Sequence, residues 1–114
     1  MPPEMEPALA RALDAMWAKF LPEMMDRVMT LETAAVEFAA GDMSEDRHVQ
    51  ANAAAHKLAG VLGTFGLTRG TVLARELEMM YSREDDPEAD RDPDLAAKLA
   101  QIAAELRTIV ESRK

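Results

Sequence analysis

Leu58, Val61, Leu62 and Phe65 recur at the i, i+3, i+4, i+7 spacing that sets side chains on one helix face, and they mark the buried side of residues 55–66. At about 100° per residue, His56 lies roughly 170° from the mean direction of those four. Its imidazole is therefore expected to project to solvent from the middle of the outer face. Gly60 and Gly63 follow it on that face, with Ala53 one turn back and Ala59 alongside. Each glycine costs about 1 kcal/mol relative to Ala in a helix interior. Two of them beside one exposed histidine imply room for another surface to approach the ring.

The same periodicity runs through the rest of the chain. Met5, Leu9, Leu13, Met16 and Phe20 form one stripe, flanked by Trp17, over residues 5–20. Pro22 disfavours helix at Leu21 and suits the first turn of a new helix. That next helix is expected to run to about Ala40, with Met25, Val28, Leu31, Ala35 and Phe38 inward and Gly41 as its C-terminal cap. Asp42 and Ser44 are candidate N-caps for the helix that carries His56, and Asp42 with Glu45 has capping-box spacing. Gly66 ends that helix, and Thr68 is a candidate N-cap for one with Leu73, Leu77 and Met80 inward. Residues 83–94 are charged, contain Pro87 and Pro93, and lack periodicity. Asp92 and Pro93 then open a last helix on Leu95, Leu99, Ile102, Leu106 and Ile109. Short connections make neighbours antiparallel. The expected fold is all-α: an antiparallel four-helix bundle with an additional N-terminal helix, separate or continuous with the next, in a single domain over residues 1–114.

Composition narrows the function. No β-branched run occurs and aromatics make up only 4% of the chain, which suits helices. Cysteine is absent, so thiolate and disulfide chemistry are excluded and a reducing cytoplasm is permitted. No apolar run approaches the roughly 20 residues of a membrane span, and the start carries no basic signal-peptide region. The net charge of −8 opposes binding to a nucleic-acid backbone. His48 and His56 stand about 12 Å apart along a helix, too far to share a metal as an i, i+4 pair does, and His48 reads as a surface residue. Asp90, Asp92 and Asp94 have the opening spacing of an EF-hand loop, but Leu95 stands where Gly is required and Gln101 where the bidentate Glu belongs. The nine methionines fall mostly at core-stripe positions. No Gly-rich phosphate loop, Ser/His/Asp set or nucleotide fingerprint is present.

His56-Lys57-Leu58-Ala59-Gly60, with Gly63 three residues on and Phe65-Gly66 at the helix end, resembles the histidine-containing phosphotransfer (HPt) domains of bacterial phosphorelays. It is equally similar to the phosphoacceptor domain of chemotaxis-type histidine kinases. The resemblance is sharpest over residues 52–78. It implies that Nε2 of His56 accepts a phosphoryl group and exchanges it with an aspartate of a receiver domain, or takes it from a kinase. Neutral imidazole is a competent nucleophile. If the chain reverses near Gly66 and Leu67, Glu78 comes level with His56, where it can hold Nδ1; it resembles in position the glutamate of the chemotaxis-kinase domains. Glu78 also reads as an ordinary solvated residue opposite the Leu73–Leu77 stripe.

One departure stands out: the family usually carries Lys three residues after the histidine, and here that residue is Ala59. Lys57 and Arg75 are the candidates for neutralising the phosphoryl charge, with Arg69 a third. Receiver docking is expected around Asn52, Ala59, Gly60, Gly63 and Thr64. The chain is expected to be a cytoplasmic monomer and a carrier, not an enzyme, without a metal site or cofactor of its own; any Mg²⁺ would belong to the receiver. A non-phosphorylated helical docking module, for a receiver or a partner helix, is the alternative. A larger multidomain regulator is equally compatible with the sequence.

Overall fold

The structure is a computed structural model that describes residues 7–82 and 93–113. Four helices follow one another: α1 (Pro7–Ala40), α2 (Glu45–Thr64), α3 (Thr68–Tyr81) and α4 (Pro93–Ser112). Each packs antiparallel to its neighbour in the ring α1–α2–α3–α4. Trp17 on α1 meets Phe65 past the end of α2, Thr71 on α3 reaches Ala59 on α2, and Arg69 and Glu76 on α3 pair with Glu105 and Lys98 on α4. Among the described residues, no helix is long and apolar enough to cross a membrane.

The break expected at Pro22 does not occur. α1 is one helix of 34 residues with Pro22 inside it. A mid-helix proline costs about 3 kcal/mol, but Trp17, Met24, Val28, Leu31, Ala35 and Phe38 form one apolar stripe across it, all buried. Burying a side chain of the size of Trp17 or Met24 is worth about 1.5–3 kcal/mol each, so keeping both in register outweighs the proline. The separate N-terminal helix is thus the first part of α1. Its stripe is also displaced: Leu9 and Met16 are exposed, Leu13 and Phe20 half-buried, and Trp17, placed at the flank from sequence, is in the core. Met24 replaces Met25 inside. Met5 lies outside the described residues.

Two glycines make the turns. Gly41 (φ 76°) and Gly66 (φ 73°) take the left-handed conformation that L side chains resist. At each, the following amide bonds back to the carbonyl five residues earlier in the helix, Asp42 N–H to Glu37 C=O at 3.1 Å and Leu67 N–H to Leu62 C=O at 2.9 Å. These are the bonds of the Schellman motif, and they fix where α1 and α2 reverse. Ser44 caps α2, its hydroxyl oxygen accepting from Arg47 N–H at 3.1 Å. Thr68 is not the cap of α3; the cap position is Leu67, with no side-chain bond. Asp90 and Asp92 lie outside the described residues.

The core face of α2 is mostly small: Ala51, Ala54, Ala55 and Ala59 are buried there with Leu58 and Leu62. Leu73, Leu77 and Tyr81 of α3 and Leu99, Ile102, Leu106 and Val110 of α4 fill the opposite side. His48 is half-buried rather than a surface residue: its ring stands edge-on to Tyr81 at 5.8 Å between centroids. Burial raises the Tyr81 phenol well above its ordinary pKa.

Gly70 is buried under Leu62 and Ile109, and a Cβ there would stand 2.8 Å and 3.3 Å from their methyl carbons. A Cβ on Gly60 would meet nothing within 4 Å. Gly70→Ala is expected to lose about 1–3 kcal/mol by overpacking, whereas Gly60→Ala gains up to about 1 kcal/mol from helix propensity. Urea denaturation of the two variants checks this opposition in sign.

Arg107 of α4 grips Glu32 of α1 through two bonds, Nε to Oε2 at 2.6 Å and Nη2 to Oε1 at 2.7 Å. That fork holds the Glu32 carboxyl below its ordinary range, with burial opposing. A carboxyl depressed in the folded state contributes stability that is complete above its unfolded pKa of about 4.3, and that fades as pH falls through the folded value. Glu32→Gln should therefore be less stable than the parent at pH 7, and lose less stability on acidification from pH 5 to pH 3. Urea midpoints across that range measure the difference.

Candidate functional site

His56 sits past the middle of α2 with its side chain 72% exposed. The register of α2 against α3, set by the reversal at Gly66, brings Glu78 beside it. His56 Nδ1 and Glu78 Oε2 are 2.8 Å apart. A carboxylate only accepts, so the proton of this bond belongs to Nδ1; in the neutral ring the lone pair then sits on Nε2. Asn52, one turn before His56, donates from Nδ2 to the Glu78 backbone oxygen at 2.8 Å. The helix turn that carries the carboxylate is thereby tied to the helix that carries the ring. Asn52, grouped from sequence with the docking residues, has this internal bond instead of a free amide.

The small residues around the ring divide into two kinds. Gly60 is exposed and open. Gly63 is exposed too, but a Cβ there would lie 3.3 Å from the Thr71 hydroxyl, so its lack of a side chain also serves the approach of α3. Thr64 is exposed and bonds back to the Gly60 carbonyl at 3.0 Å. Ala59 differs from expectation: it is 3% exposed, faces α3, and its carbonyl accepts from the Thr71 hydroxyl at 3.3 Å. The outer arc centred on His56 is narrower than a free helix would have it, because α3 covers one flank. A side chain at Ala59 is therefore no part of a docking surface.

On the other flank, α1 and α2 leave an open groove of about 480 Å³. Phe20, Met24 and Val61 supply its apolar part. Glu23 and Arg27 stand on the α1 wall, and His56, Lys57, Gly60 and Thr64 on the α2 wall. Of the cations expected to serve His56, Lys57 shares this groove. Arg75 is exposed on α3, one turn from Glu78, and is not on the groove lining. Arg69 is committed elsewhere, to Glu105 on α4 at 2.7 Å and 3.2 Å.

Arg27 was not foreseen from sequence, although a signal was present. Counting back equally on both sides of the Gly41–Asp42 turn puts residue 27 level with residue 56.

The structure is thus an antiparallel four-helix bundle that presents His56 on an exposed helix face with Nδ1 beside the Glu78 carboxylate. The chain belongs to the Hpt domain family, whose match spans residues 15–111. That places it among the phosphotransfer domains of two-component signalling, which carry phosphoryl groups between receiver domains and kinases. Over 66 residues it is 35% identical to Protein RcaC of Microchaete diplosiphon, a match that covers 58% of this chain and 10% of that protein. The chain thus spans about a tenth of that relative's length. No solved structure matches it.

Glu78→Ala is expected to release the ring tautomer. The parent should hold the Nδ1–H form, and the variant should move toward the mixture of a free imidazole. Long-range ¹H–¹⁵N correlations of the His56 ring report the change, and an unchanged pattern would show that Glu78 does not select the tautomer.

Proposed function

We propose that His56 is the phosphoryl acceptor of this domain, exchanging the group with an aspartate of a receiver domain or taking it from a kinase. The observation that carries the reading is the His56–Glu78 pair, which leaves Nε2 as the exposed nucleophile. In the forward step the Nε2 lone pair forms the N–P bond while the bond from phosphorus to the aspartyl oxygen breaks. The electron pair of that bond leaves on the aspartate carboxylate. The Nδ1 proton stays on the ring, where the Glu78 carboxylate offsets the positive charge that develops. Lys57 contributes positive charge near the incoming group. Any Mg²⁺ in the transfer is assigned to the acidic pocket of the receiver.

Docking is assigned to the strip of α2 with little side-chain bulk, Gly60, Gly63 and Thr64, and to the apolar part of the neighbouring groove. Gly60 lets a partner's backbone or a receiver's acidic loop come close to Nε2 without displacing a side chain. The domain acts as a carrier, in a single unit and as a monomer in the cytoplasm, and performs no turnover of its own.

The test is transfer from a phosphorylated receiver, or from a kinase with ATP, to the parent and to His56→Gln. Acid-labile, base-stable label is expected on the parent and to be lost from the variant, with the helical fold unchanged by circular dichroism. A panel of competent donors that labels neither protein would leave a docking module without phosphoryl chemistry.

A further inference from the structure

We infer that Arg27 is the charge partner of the phosphoryl group on His56, reaching it across the groove between α1 and α2; the inference rests on His56 being the acceptor. The two nitrogens of the ring point in nearly opposite directions. With Nδ1 held by Glu78 on the α3 side, Nε2 is directed away from α3, and α1 flanks α2 there. A phosphoryl group carries close to two negative charges at neutral pH, in a protein whose own net charge is −8. While no receiver is docked, any Mg²⁺ of the receiver's pocket is absent too, and the charge calls for a cation from this chain.

Arg27 is suited to that task by place and by commitment. It shares the groove with His56 and Lys57. Its Nη1 donates to the Glu23 backbone oxygen at 3.2 Å and stands 3.9 Å from the Glu23 carboxylate. Arg47, Arg69, Arg107 and Arg113 make closer ion pairs, at 2.6–3.3 Å, with carboxylates on other helices. Arg27 is therefore the arginine whose described ion pair is loosest. Its pairing with an exposed residue one turn away on the same helix contributes little to stability, so redirecting it costs little. A guanidinium donates two parallel N–H bonds to phosphate oxygens, which an ammonium does not. In the unphosphorylated protein Glu23 holds Arg27 along the groove wall; the phosphoryl group, with more charge, displaces Glu23. The arrangement also accounts for Ala59. A lysine there would begin from a buried Cα facing α3, whereas Arg27 approaches from the open side.

The experiment uses phosphoramidate, a small donor that phosphorylates imidazole without a partner protein. The parent, Arg27→Ala, Arg27→Lys and His56→Gln are treated alike, and ³¹P NMR follows the second ionisation of the attached phosphoryl group against pH. A nearby cation favours the dianion and lowers the midpoint. Removing it in Arg27→Ala is expected to raise the midpoint by about half a unit, with Arg27→Lys recovering part of the shift. Loss of label from the phosphorylated variant at neutral pH should also quicken, since the dianion is held less firmly. A labelled parent whose titration is unchanged in Arg27→Ala, with its fold intact, overturns the role of Arg27 alone. A parent that takes no label at His56 overturns the acceptor reading and this inference with it.

Discussion

The close approach of α2 to its neighbours is the constraint on which the site depends. Its buried face is built largely of alanine, and Gly63 faces Thr71 where a methyl group would crowd the hydroxyl. Small side chains let helix axes come near one another, and at short separation polar groups on facing helices meet directly. The Thr71 hydroxyl reaches the Ala59 carbonyl, and the Asn52 amide reaches the Glu78 carbonyl. The 2.8 Å His56–Glu78 pair is a third contact on the same seam. Larger residues on α2 would push α3 away and separate the ring from its carboxylate.

The surrounding helices hold that seam with different means. α1 and α4 are joined by the Glu32–Arg107 fork, and the end of the bundle is closed where the Arg113 guanidinium lies 5.0 Å and 5.2 Å from the centres of the Trp17 and Phe65 rings. Phe65 directly precedes Gly66, so the turn that sets the register of α2 and α3 is anchored to the core stripe of α1. The proposed role of His56 needs no movement of the scaffold. The ring stands on a helix held on two flanks, with Nδ1 bonded on the α3 side and the open groove on the α1 side.

Much of this was legible in the sequence because a helix repeats with a known period. Leu58, Val61, Leu62 and Phe65 placed His56 outside, and it is exposed. The glycines at 41 and 66 marked the ends of α1 and α2, because few other residues tolerate their backbone conformation. Reversal at Gly66 brought Glu78 level with His56 by simple counting. Local rules failed where burial opposed them. Pro22 signalled a break, yet the helix continues because Trp17 and Met24 enter the same core from either side. Ala59 was placed on the outer face by its angle, yet α3 covers it. His48 was read as a surface residue, and Tyr81 packs against its ring.

The sequence by itself determined which residues form helices, where the chain turns, and that His56 points outward, since these follow from spacing and backbone preference within a few turns. Only the tertiary structure decided how wide the open arc around His56 is and which charges share it. Arg27 joins the groove while Arg69 is drawn to Glu105 and Arg75 lies off the lining. Helical periodicity gives a residue's direction about its own axis, but it carries no information on the rotation of one helix against the next. That rotation is settled by the packing of the whole core, and it selects the neighbours of the histidine.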